Sequence, residues 1–204
     1  MIFQKTDALY GKIRTGKPFT LEELKNGIAA VDAAIAADPV ALRYVQRAEL
    51  LGSAAATRSL KVSEEQRRAW HRQSKADLEF ALGNDPARGL DWTRLAFARA
   101  WVEGPSRDMP PLILMSMDIA PRSASLWPAR LHLILSNWGY FTDAEKERLS
   151  EHIAMMWRNS TERVWVARTI YDPIDELIVR QALDRKSTRL NSSHVSESRM
   201  PSSA

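Results

Sequence analysis

The chain has 204 residues, of which 45% are hydrophobic and 26% are charged, and its formal net charge is +4. This composition is typical of a globular protein and excludes a wholly disordered chain. Because cysteine is absent, disulfides and thiolate metal sites are excluded as well. No run approaches the roughly 18 apolar residues of a membrane-spanning helix, and residues 1–17 lack the apolar core of a signal peptide.

Helix-start patterns recur along the chain. A hydroxyl side chain stands three residues before Glu or Gln in three capping boxes: Thr20–Glu23, Ser63–Gln66 and Thr142–Glu145. Asp172 followed by Pro173 predicts another start, and glycines at 83, 104 and 139 predict helix ends. No segment shows sustained alternation of β-branched residues, so we predict an all-α fold.

Three segments of the chain resemble one another around a proline. The three prolines are Pro39, Pro86 and Pro121. Five residues before each proline is a small residue: Ala34, Ala81 and Ser116. Eight residues before it is a branched aliphatic: Val31, Leu78 and Ile113. Six residues after it is Val45, Trp92 or Trp127. We interpret each segment as a helix end, a proline turn and a new helix, which is typical of stacked helical hairpins.

This pattern resembles tetratricopeptide repeats, in which Trp, Leu and a small residue mark the first helix of each hairpin. Trp92, Leu95 and Ala96 carry that marking. The spacing from Pro86 to Pro121 is 35 residues and fits the family, whereas Pro39 to Pro86 is 47 residues, and Arg130 stands where the family has Leu. The resemblance covers residues 20–140 and implies a short right-handed α-solenoid of tetratricopeptide-like hairpins, followed by extra C-terminal helices.

The last 21 residues differ from the rest of the chain, because the segment 184–204 is polar, rich in serine and without helical periodicity. Reverse translation of this segment gives a string that resembles a widely used sequencing adapter. We therefore predict one helical domain over residues 1–183, truncated at its C-terminus, and a non-native, disordered tail over 184–204. Without the tail the chain has 25 basic and 23 acidic side chains, a net of +2, which gives no argument for a nucleic-acid partner.

Catalytic and metal-binding patterns are missing from the sequence. The histidines outside the tail are His71, His132 and His152, and no two have the spacing of a metal-binding pair. No nucleophile elbow, phosphate-binding loop or dinucleotide-binding glycine motif occurs. We therefore predict a non-enzymatic protein with no cofactor and no metal.

A groove on the inner face of the hairpins is the predicted site. Seven tryptophans are present, and most are expected between helices. The resemblance implies that the first helix of each hairpin lines a concave groove, formed here by Arg43, Gln46, Leu50, Thr93, Phe97, Trp101 and His132. Such a groove binds a peptide or a partner helix, although the C-terminal helices could equally fill it.

Two function hypotheses follow. The first is a scaffold module that binds a protein or peptide partner. The alternative is a nucleic-acid-binding regulator that uses the basic stretch from Arg67 to Lys75, which also contains Arg68 and Arg72. The chain as written predicts a cytoplasmic protein. A further resemblance, to helical-repeat proteins of proteobacteria, implies an N-terminal inner-membrane anchor lost by truncation, a periplasmic location and a link to surface-polysaccharide assembly.

Overall fold

The computed structural model of the chain describes residues 2–184, with the side chains of 7–159, 163–164 and 166–184. The described residues form ten α-helices and no strand. Their bounds are α1 Ile2–Arg14, α2 Leu21–Ala37, α3 Ala41–Ala56, α4 Glu64–Asn84, α5 Gly89–Glu103, α6 Met109–Ile119, α7 Trp127–Ser136, α8 Asp143–Arg158, α9 Ser160–Thr169 and α10 173–184. The all-α prediction is confirmed for this part of the chain. The predicted adapter-like tail lies outside the described residues, apart from Asp184 at the end of α10.

The capping residues predicted from the sequence begin their helices. Thr20 and Thr142 each accept a hydrogen bond from the third helical backbone N–H, and Glu23 and Glu145 bond back to complete the capping box. The Asp172 carboxylate likewise accepts backbone N–H groups at the start of α10. Each cap satisfies donors that a helix end leaves unpaired, so these helices start where local chemistry places them.

The three proline turns also fall between helices, as the repeat predicts. Each proline stands within the short connection after α2, α4 or α6. The aliphatic residues eight positions earlier are all buried: Val31, Leu78 and Ile113. Trp127 is buried too, whereas the half-buried Trp92 donates from its indole to the Pro86 carbonyl at 2.8 Å and so closes its turn.

The chain packs as two compact units, residues 1–121 and residues from 122 onward. In the first unit, each helix from α1 to α5 packs against the helix that follows it. In addition α1 contacts α3, and α3 contacts α5. The single domain predicted for residues 1–183 stays a prediction.

In the second unit α7, α8 and α9 pack against one another. Its core contains Leu131, Ile134, Leu149 and Ile153, all fully buried. None of the described helices, in either unit, is long and apolar enough to span a membrane.

Candidate functional site

The first unit has a pocket between α3, α4 and α5, with a volume of about 250 Å³. Helix α3 contributes small side chains together with one acid: Ala48, Glu49, Gly52, Ser53 and Ala56. The other two helices contribute His71, Ser74, Arg94, Phe97, Ala98 and Trp101. Small residues on α3, facing larger side chains such as His71, Phe97 and Trp101, leave the concavity that we call the α3–α5 pocket.

An aromatic wall forms one side of the pocket. Trp101 is 62% exposed, although it is the largest side chain of the wall. One face of its ring stacks on the ring of the buried His71, with centroids 5.3 Å apart and planes 4° from parallel. Burial and the charge of Arg67 lower the pKa of His71, which favours its neutral form. The half-buried Phe97, one helical turn before Trp101, extends this wall.

Charged side chains with their own partners also line the pocket. Glu49 is only 9% exposed. Its Oε1 lies 3.4 Å from the Nε of Arg14 and 3.2 Å from a guanidinium nitrogen of Arg94. Arg94 in turn donates to the buried Asp91 at 2.9 Å. These charges therefore compensate one another.

Gly52 lies at the centre of the α3 side of the pocket. A Cβ added there would meet only the Ser74 hydroxyl, at 3.6 Å, which is an ordinary van der Waals distance. By contrast, a Cβ at Gly27 would lie 2.6 Å from the Leu9 side chain. Close packing therefore explains the glycine at position 27, but the fold does not require one at position 52.

The predicted groove residues are only partly brought together. Phe97 and Trp101 line the pocket. Arg43 and Gln46 are half-buried nearer the start of α3, where Arg43 donates to the Gln46 side chain at 3.3 Å. There the hydroxyl of Tyr10 donates to the backbone carbonyl of Gln46 at 2.9 Å.

The remaining predicted groove residues lie outside the pocket lining. Leu50 is fully buried in a core cluster with Leu9 and Leu24. Thr93 is 3% exposed, and its hydroxyl hydrogen-bonds the Ser116 hydroxyl. These two residues therefore offer no surface to a partner. His132 is exposed on α7 of the second unit, where its ring meets Tyr171 edge to face at 6.2 Å.

Two of the four basic side chains of the Arg67–Lys75 stretch have intramolecular partners. Arg67 donates to the carbonyls of Ala55, Thr57 and Leu60, at 2.8, 3.0 and 2.7 Å, and so satisfies acceptors at and beyond the end of α3. Lys75 pairs with Glu103. The remaining two, Arg68 and Arg72, are exposed.

The second unit contains a cluster of buried polar side chains. Arg130 is fully buried, and burial lowers its pKa to about 10. The rings of Trp127 and His152 meet edge to face, with centroids 6.3 Å apart. Neither Trp127 Nε1 nor His152 Nε2 has a hydrogen-bond partner in the described part of the chain. Burial, with the charges of Arg130 and Arg148, lowers the pKa of His152 to about 4.

The pocket includes residues that the sequence analysis missed, above all Glu49, Gly52, His71 and Arg94. A partial signal was available, since 49, 52, 53 and 56 share one face of a helix at three- and four-residue spacing. Among the described residues, no group of three or more acidic or histidine side chains is placed to hold a metal ion. No family model, curated protein or solved structure matches the chain at a significant level.

Proposed function

We propose that the protein is a non-catalytic interaction module whose first unit binds a peptide or a helix of a partner protein across α3, α4 and α5. The exposure of Trp101 at the α3–α5 pocket carries this proposal. Large aromatic residues beside a well-formed pocket are typical of the few positions that dominate binding energy at protein interfaces. Among the large hydrophobic side chains described in this unit, Trp101 is the most exposed, and it is thus well placed for a partner.

The proposed architecture of the first unit is the tetratricopeptide-like solenoid that the repeat implies. The contacts of α1 with α3 and of α3 with α5 support it. In a stack of hairpins, the first helix of each hairpin packs on the first helix of the next and lines a shared face. The pocket lies on that face, since α3 and α5 supply nine of its eleven lining residues.

Selection from a random peptide library tests the function directly. The full chain is immobilised, and enriched peptides are then titrated against the wild type, Trp101→Ala and Phe97→Ala. Hot-spot truncation costs 2 kcal/mol or more, so we expect affinity to fall by about 30-fold or more in both variants. Arg72→Ala, which removes an exposed side chain of α4 outside the pocket lining, is the matched control and should retain binding.

The same selection can contradict the proposal. Circular dichroism and urea denaturation must first show that both aromatic variants remain folded, as the exposure of Trp101 leads us to expect. If no peptide binds the wild type more tightly than these folded variants, the pocket is not an interaction site. If binding is lost only in Arg72→Ala and at raised salt, the basic stretch from Arg67 to Lys75 is the binding surface instead.

A further inference from the structure

We infer that the α3–α5 pocket receives a single uncharged aromatic side chain from the partner; this inference rests on the proposed function and specifies its ligand. The first argument is size. Pockets for small molecules and cofactors occupy roughly 300–1,000 Å³, whereas this pocket has a volume of about 250 Å³. It is therefore too small for a nucleotide cofactor and matches one large side chain that enters from a peptide.

The second argument is charge. The ionised side chains of the lining, Glu49 and Arg94, already pair with each other, and with Arg14 and Asp91. His71 is the remaining titratable group, and its lowered pKa keeps it neutral at physiological pH. A charged occupant would lose its hydration without gaining a counter-charge, which is costly. The pocket thus selects against lysine, arginine, aspartate and glutamate.

The third argument separates aromatic from aliphatic occupants. Three rings, those of His71, Phe97 and Trp101, line the pocket. Aromatic pairs in offset or edge-to-face geometry gain about 0.5–1.5 kcal/mol beyond the area that they bury, which corresponds to about a 2- to 12-fold difference in affinity. Phenylalanine, tyrosine or tryptophan is therefore favoured over leucine.

The absence of a side chain at Gly52 leaves space in the pocket for that aromatic ring. Glycine inside a helix costs about 0.5–1 kcal/mol relative to alanine, and at position 52 packing within the fold does not require it. Any larger side chain at this position would project into the pocket. The glycine is explained if the space beside it is used by an incoming ring.

Capped amino acids test this inference without a known partner. The probes are N-acetyl-phenylalaninamide, N-acetyl-leucinamide and N-acetyl-lysinamide, titrated into the full chain in ¹H–¹⁵N NMR. We expect the Trp101 indole signal, assigned by its absence in Trp101→Phe, to shift saturably with the phenylalanine probe. The leucine probe should bind about threefold more weakly or worse, and the lysine probe should leave the signal unchanged.

Two glycine variants provide the test of the pocket and its control. Gly52→Leu should abolish the shift because it fills the pocket, whereas Gly83→Ala, near the end of α4 with nothing within 4 Å of the new Cβ, should retain it. If Gly52→Leu does not fold, Phe97→Ala serves instead and should weaken the phenylalanine probe at least threefold. Equal binding of the leucine and phenylalanine probes, or unchanged binding in a folded pocket variant, would overturn the inference.

The outcomes also separate this inference from the proposed function. If library peptides bind through Trp101 but Gly52→Leu leaves them unaffected, the interaction module stands and the aromatic pocket is wrong. If the phenylalanine probe binds as expected but no peptide is ever enriched, the pocket has the inferred chemistry and the proposed function is wrong.

Discussion

In the first unit, every buried carboxylate has a guanidinium beside it: Arg47 donates to both oxygens of Asp77, at 2.7 and 2.8 Å, and Asp91 and Glu49 share Arg94. In the second unit, Trp127 and His152 each keep a buried nitrogen without a partner among the described residues. Compensated charge allows the first unit to surround its pocket with ionised side chains that pair with one another. In the second unit, protonation of His152 would add a charge beside Arg130 and Arg148, so this unit is most stable while that ring is neutral.

The largest effect is expected from a substitution that removes the charge compensation of the first unit. Asp77→Ala removes a carboxylate that is 2% exposed and leaves Arg47 with one partner, Asp32. Removing one member of a buried ion pair costs about 3 kcal/mol or more. Urea denaturation should therefore show a loss of about that size.

Asp32 offers the matched control for this variant. It binds the same arginine, but its side chain is 48% exposed. Exposed ion pairs contribute less than about 1 kcal/mol, so Asp32→Ala should be nearly neutral. Equal losses in the two variants would show that burial does not distinguish these two pairs.

The second effect is an acid sensitivity of the second unit. The folded-state pKa of His152 is about 4, below the ordinary value of 6.5. As pH falls, the unfolded chain therefore binds the proton first, so stability is complete above about pH 6.5 and declines toward pH 4. At pH 4.5 the unmet protonation of this histidine should lower the free energy of unfolding by roughly 2–3 kcal/mol.

Urea titrations at pH 7 and pH 4.5 measure this loss. The difference in unfolding free energy between the two pH values should shrink by roughly 2–3 kcal/mol in His152→Gln. His132→Gln, at an exposed histidine of the same unit, is the matched control for this comparison. An unaltered pH dependence in His152→Gln would contradict the account of the buried ring.

The smallest expected effect comes from two glycine substitutions in the first unit, one at the open pocket and one in the close-packed interior. Gly52→Ala should raise the free energy of unfolding by about 0.5–1 kcal/mol, because alanine is favoured in helices and has room there. Gly89→Ala should instead lower it, since the new Cβ would lie 2.6 Å from the Cβ of Ala120. Stability measurements that show the same sign for both variants would contradict this distinction.

Local chemistry explains how much of the fold the sequence could predict. Capping at Thr20 and Thr142 depends on residues within one turn, and the buried Leu78 follows from the repeat around Pro86. The pocket depends on which faces of three helices meet. Glu49, His71 and Arg94 are separated by more than 20 residues, so no spacing in the sequence connects them.

Two of the predicted groove residues, Leu50 and Thr93, are buried by neighbouring parts of the fold. Thr93, Phe97 and Trp101 lie on one stripe of α5, but Ser116 of α6 packs over the first of them. Leu50 is one residue from Glu49, and the turn of about 100° per residue in an α-helix takes it into the core. Predicting these positions requires the rotation of each helix, which tertiary packing sets.

The most direct test of the account is chemical-shift mapping of the full chain with the tightest peptide from the library. The account predicts perturbed amides in α3, α4 and α5, a shifted Trp101 indole and unchanged signals in α7 and α8. Perturbations confined to the second unit, or a peptide that binds without moving the Trp101 signal, would contradict the claim that the α3–α5 pocket is the binding site.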